Sequence, residues 1–231
     1  MCNEYQKRVG RDAIEEAFRH VKVPIRWADP EPNRPLDQPI RPTERATVLR
    51  PQDPLLPLAG LEGLEMRWWL VPHYHRGPLS SYRAMTTNAR IETVDQSPAF
   101  RDAYRRRRCL VPLTSFIEYS EPNGWKKGKP KQRNEIDWPG GGIRFFAGIW
   151  DQSRPAEHPE GLSSFAFITG PAPEDVAPVH DRSPAVLTLE QGLEWLDLEG
   201  PGKSGIAPAA KGTLRIRISP RTPGPDRGSL V

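Results

Sequence analysis

Cysteine is nearly absent from this chain: of its 231 residues, only Cys2 and Cys109 carry thiols. Two cysteines make no disulfide framework and fit a reducing compartment. Long apolar runs are missing as well, and none approaches the ~20 residues of a membrane helix. The first stretch, MCNEYQKRVGRDAIEEAF, is too charged for a secretory signal. The expectation is a cytoplasmic protein with no membrane partner. Apolar residues are modest at 36%, and no internal repeat is apparent. Proline and glycine are what the chain has in excess, 46 of 231 residues. Prolines break helix interiors and glycines weaken them, which excludes a helical bundle and favours short strands joined by loops. The net charge of +4 understates a basic bias, because 25 of the 33 basic residues are arginine. Arginine forks suit phosphate, so a polyanionic partner is one reading and an arginine-rich surface the other.

Apolar periodicity predicts a helix over residues 12–21, with Ile14, Ala17, Phe18 and Val21 on one face and Asp12 as N-cap. Residues 24–57 hold nine prolines. They read either as a disordered linker or as an ordered wrap that buries Trp27, Ile40, Val48 and Leu49. Strands are predicted at 64–72, on both sides of Pro112 within 109–119, at 144–150 and at 164–169. A short helix is expected over 98–107, with Phe100 and Tyr104 one turn apart, and a second amphipathic helix over 189–196 capped by Thr188. Leu214, Ile216 and Ile218 alternate with Arg215 and Arg217, as on a half-exposed strand. Residues 126–133, KKGKPKQR, read as an exposed basic hairpin tip and the arginine run 105–108 as a solvated helix face, with a nucleic-acid contact as the alternative for each. The sum is a β-rich α+β domain over 1–219, with a flexible tail over 220–231.

Several residues could carry chemistry. Cys2 follows the initiator Met1; removing Met1 would leave an amine and a thiol on one residue. An α-amine titrates near 7.7–8.0 and a thiol near 8.5, so both have nucleophilic fractions at neutral pH. An aldehyde forms a Schiff base with such an amine, and the thiol then closes a thiazolidine ring. N-terminal cysteines also serve amidohydrolases. On position alone, residue 2 reads more simply as whatever follows Met. His180 in VHDRSP suits proton transfer, or sits in a loop. Glu118 in SFIEYS is either an acid–base group raised by apolar neighbours or an outward strand residue. His73 and His75 share a strand face in H-Y-H, but no Cys, Asp or Glu set completes a metal site. Cys109 reads as a buried structural thiol.

Taken in order, these segments resemble the SOS response-associated peptidase (SRAP) family. The carriers are Met1-Cys2; MRWWLVPHY (66–74); NARIET (88–93); RRCLVPLTSFIEYS (107–120); and FAFITGPA (165–172) with VHDRSPAVLTLEQGLEWLD (179–197). The resemblance implies a barrel-like fold of mixed sheets with a few peripheral helices. It implies an abasic-site sensor that binds single-stranded DNA and crosslinks through Cys2 after autoproteolytic loss of Met1, with no cofactor and no metal. By the same resemblance Asn88 positions Cys2, Glu118 shuttles protons and His180 is the partner acid–base. Arg90 and Arg182 grip phosphates, Thr169 lies near the crosslink, Pro42 at the DNA surface, and Tyr74 wedges at the bases. A monomer, nucleoid-associated when bound to DNA, is expected. Two other readings use the same residues: a cysteine amidohydrolase or peptidase acting in trans, and a non-catalytic arginine-rich nucleic-acid-binding module. The chain departs from the family pattern at Asn3 and Glu4, where C-G-R is common, at Trp69 for glycine, at Tyr119 for tryptophan and at Ser183.

Overall fold

A computed structural model describes residues 2–219; the expected tail over 220–231 lies outside the described residues. In chain order the elements are β1 (Glu4–Gln6), α1 (Arg11–Arg19), β2 (Ile25–Trp27), β3 (Arg45–Pro51), β4 (Leu61–Trp68), β5 (Asn88–Arg90), α2 (Arg101–Arg106), β6 (Arg108–Leu113), β7 (Ser115–Ser120), β8 (Gln132–Asp137), β9 (Arg144–Ser153), β10 (Leu162–Pro171), β11 (Arg182–Pro184), β12 (Val186–Leu187), α3 (Leu189–Leu196) and β13 (Arg215–Ile218). The expected β-rich α+β class holds.

Five strands close on one another in the order β10-β4-β3-β6-β9 and back to β10. The β4–β10 pair is parallel and the others are antiparallel. Alternation along each strand then sorts side chains to two sides of the wall. Val48, Met66, Trp68, Cys109, Val111, Phe146, Phe165 and Phe167 fill one core cluster. Leu49, Leu61, Leu110, Phe145, Ala147, Ile149, Ala166 and Ile168 face the other, under Ile14 and Phe18 of α1 and Trp195 and Leu196 of α3. Cys109 is fully buried, as its apolar context suggested. A second sheet runs β1-β7-β8-β13. Its edge strand β1 brings Tyr5 into the first cluster, against Trp68, Phe146 and Phe167 at 5.5–5.6 Å.

The proline-rich stretch is an ordered wrap rather than a linker. It supplies the barrel strand β3, and Ile40, Val48 and Leu49 are buried. Trp27 on β2 lies so close over β4 that a Cβ on Gly63 would sit 2.3 Å from its ring. Arg11 stacks on that indole at 4.3 Å and Glu15 accepts from its Nε1–H at 2.6 Å, which ties the wrap to α1.

Four local expectations are corrected. Gly10, not Asp12, is the N-cap of α1, and the Glu31 carboxylate accepts from the Arg11 N–H in place of a local cap. Arg108 is no solvated residue: it is 6% exposed, stacked between Tyr104 and Trp195, and donates to the carbonyls of Trp195 and Asp197. Arg133 is buried, while residues 126–131 of the same run form the exposed loop between β7 and β8. Strand β4 ends at Trp68, so His73 and His75 lie beyond it and share no strand face. None of the described helices is long and apolar enough to cross a membrane.

Candidate functional site

The site is assembled where the start of the chain runs along β7. Pairing of Glu4 with Ile117 and of Tyr5 with Phe116 lays residues 2–4 beside residues 117–119. Cys2 is fully buried there. The Asn88 Nδ2–H donates to the Cys2 carbonyl at 3.1 Å and to Thr87 Oγ1 at 3.1 Å. Asn88 is fixed in turn by β5, which adds to β10 with Asn88 opposite Phe167. The Cys2 thiol donates to the Glu4 carbonyl at 3.3 Å. Burial pushes that thiol far above its ordinary range, and the Glu118 charge adds to the effect. The thiol is therefore protonated at neutral pH, and its use as a nucleophile requires a base at hand.

Glu118 has the character of such a base. It is 2% exposed, and burial pushes its carboxyl up from 4.5 to about 7, helped by the negative charge of Asp181. A carboxyl poised near neutrality both gives and takes protons at working pH. His180 sits at the edge of the same region. The Arg182 N–H donates to His180 Nδ1 at 2.9 Å, which leaves Nε2 to carry the proton in the neutral ring. Asp181 Oδ1 also lies 2.9 Å from Nδ1, so a protonated ring has a counter-charge there. Burial lowers the pKa of His180.

The remaining expected residues fall on two sides. Thr169 is buried on β10, opposite Arg90 in register, and its hydroxyl donates to the Ala89 carbonyl at 3.4 Å. Arg90 is exposed. Arg182 is held by Glu92 in a bidentate pair at 2.8 and 2.9 Å. Tyr74 is 53% exposed, its ring edge-on to His73 at 5.5 Å. Pro42 is half-buried in the turn before β3, followed by Thr43 at a positive φ of 78°. Among the described residues no group of three His, Cys, Asp or Glu is placed to hold a metal. His73 is instead bonded to Asp151, its Nδ1 3.1 Å from the carboxylate.

The departure at residue 4 has a structural answer. Glu4 is buried and receives the Arg133 guanidinium at 2.7 and 3.1 Å, Arg41 at 3.3 Å and the Tyr119 hydroxyl at 3.0 Å. Its charge is thus neutralised within the protein rather than presented to solvent. Which arginines pair with Glu4 is not readable from the sequence, because Arg41 and Arg133 lie 37 and 129 residues away. Trp69, where the family pattern has glycine, has a φ of 151°. Its N–H donates to the Phe165 carbonyl at 3.1 Å and its indole to the Ala84 carbonyl at 3.0 Å.

Residues 1–215 match the family described as SOS response associated peptidase (SRAP). The chain is 32% identical over 136 residues to the abasic site processing protein YoqW of Bacillus subtilis, a match covering 58% of this chain and 56% of that relative. It thus spans little more than half of that relative's length. It is 30% identical over 217 residues to the abasic site processing protein YedK of Escherichia coli, covering 93% and 87% of the two chains. The chicken protein HMCES, of the same description, is 28% identical over 150 residues, 58% of this chain and 45% of its own. A crystal structure of a Bacteroides thetaiotaomicron protein superposes with a TM-score of 0.75 at 22% identity, over 94% and 91% of the chains.

Proposed function

Because the chain belongs to the SOS response-associated peptidase family, we propose that it shields abasic sites by forming a thiazolidine crosslink between Cys2 and single-stranded DNA. Hydrolytic loss of Met1 frees the Cys2 amine. That amine attacks the C1 aldehyde of the ring-opened abasic sugar and expels water to give an iminium. The Cys2 sulfur adds to the same carbon, its proton leaves, and the nitrogen becomes a ring amine; the net loss is one water. Capping the aldehyde removes the acidity of its α-proton and so prevents strand cleavage by β-elimination.

The observation that carries this reading is the Asn88 Nδ2–H donating to the Cys2 carbonyl at 3.1 Å beside a buried carboxyl raised to about 7. Asn88 fixes the backbone of the reacting residue. Glu118 accepts the proton of the high-pKa thiol and returns one to the departing oxygen. His180, whose Nδ1 accepts from the Arg182 N–H, serves the sugar oxygen as partner acid through Nε2–H. Arg90 and the loop over 126–131 supply positive charge for the strand, and Tyr74 an aromatic face for a base.

The test is intact mass spectrometry of the protein mixed with a single-stranded abasic oligonucleotide. A protein lacking Met1, joined to the oligonucleotide with loss of one water, is expected, and Cys2→Ala should form none. Equal adduct from Cys2→Ala would overturn the reading. Turnover of amide substrates with abasic DNA untouched would instead favour the amidohydrolase reading.

A further inference from the structure

Arg182 is the residue expected to grip a phosphate, yet both its terminal nitrogens are already engaged. Both terminal nitrogens donate to Glu92, at 2.8 and 2.9 Å, and Nη2 also donates to the Thr169 carbonyl at 2.8 Å. A carboxylate received end-on by both terminal nitrogens of a guanidinium occupies a donor pair that a phosphodiester would use. The two partners differ in freedom. The Arg182 side chain is 13% exposed and fixed by β10, whereas Glu92 is 45% exposed in the turn after β5. Arg90, exposed opposite Thr169, also acts on Glu92 by its charge. A strand arriving at this edge therefore meets a carboxylate under the pull of two arginines.

We propose that Glu92 is a competing carboxylate that holds Arg182 against DNA phosphate and so limits non-covalent binding of every strand. This inference rests on the single-stranded-DNA reading of the site. Every strand must displace the carboxylate, and doing so weakens all non-covalent binding alike. An abasic strand recovers the loss through the covalent bond to Cys2; an intact strand does not. Glu92 thereby lowers the time that intact strands occupy the site, while a strand already crosslinked stays bound whatever that cost. The exchange also takes place beside the imidazole proposed as partner acid, since the Arg182 N–H holds His180 Nδ1.

The experiment is a double-mutant cycle on the full chain, with binding to an intact oligothymidylate followed by fluorescence anisotropy across a salt series. Glu92→Gln is expected to tighten binding roughly threefold to tenfold and to steepen the salt slope by a fraction of the ~0.7 per phosphate typical of single strands. The steepening follows because the displaced carboxylate no longer gathers a cation from solution. In an Arg182→Gln background the gain from Glu92→Gln should disappear. Unchanged affinity on Glu92→Gln, or the same gain in both backgrounds, would overturn the proposal: the first makes the pair a structural tie, the second makes Glu92 a general repulsive charge. The readout needs no Cys2 chemistry. A cycle with coupling but no adduct on abasic DNA leaves the competition standing and removes the crosslink; adduct without coupling does the reverse.

Discussion

Glu118 carries a measurable consequence beyond the proposed chemistry. An unfolded chain releases this proton near 4.5 and the folded chain near 7. Between those values the unfolded state binds fewer protons at this group, so its contribution to stability falls as pH rises from 4.5 to 7 and levels off above. Glu118→Gln removes that loss. Urea titrations should show the variant more stable than the parent by about 3 kcal/mol at pH 8, and no different at pH 4. The crosslinking rate of the same variant should fall and lose its inflection near pH 7. A difference between variant and parent that stays constant from pH 4 to 8 would mean that the carboxyl is not raised.

Trp69 offers a second test at single-residue scale. At φ 151° a side chain is strained, and alanine would be strained as much as tryptophan. Both Trp69→Ala and Trp69→Gly remove the indole bond to Ala84, but only glycine relaxes the backbone. Thermal or urea unfolding should rank Trp69→Gly above Trp69→Ala by about 1 kcal/mol. Cys2, Asn88 and Glu118 are legible in the sequence through motif order, and the structure brings them together. Glu92 and Glu4 are not, because the partner that gives each its meaning is 90 or more residues away for Arg182 and Arg133. No local rule reads such a pair.

At the scale of elements, legibility follows the range of the forces involved. α3 is readable because its start signal is local: the Thr188 hydroxyl accepts from the Gln191 N–H at 3.3 Å and the Gln191 side chain accepts from the Thr188 N–H at 2.9 Å. Thr188→Ala should cost about 1 kcal/mol by denaturant titration, with no change in DNA binding. The cap of α1 is illegible because Glu31, twenty residues on, does the work a local Asp would do. The short strands β1, β2, β5 and β11 carry three residues each and exist through pairing with distant strands, so periodicity has nothing to detect. The proline-rich wrap stays open between two readings for the same reason: its order comes from Trp27 packed over Gly63 and from β3 closing the barrel.

Across the whole molecule, the arginine excess is a poor guide to how much charge is left to face a polyanion. Glu62 takes both Arg26 and Arg50, Asp137 takes Arg215 and Arg217, Glu4 takes Arg41 and Arg133, and Asp151 takes Arg107. These pairs tie strands and loops together, and their fields largely cancel within a Debye length. The loop over 126–131 is different: Lys126, Lys127 and Lys129 are exposed on a hairpin whose β7 arm carries Glu118. Charge in that position draws a polyanion toward the carboxyl proposed to serve the chemistry. Replacing Lys126, Lys127 and Lys129 together by Gln should weaken binding to intact single strands and flatten the salt slope by roughly 2, which is ~0.7 for each phosphate that a lysine no longer neutralises. The adduct yield on abasic DNA at saturating oligonucleotide should be unchanged, because the reacting groups are untouched. A slope identical to that of the parent would put the strand on another face of the protein, and would make Arg90 and Tyr74 the residues to vary next.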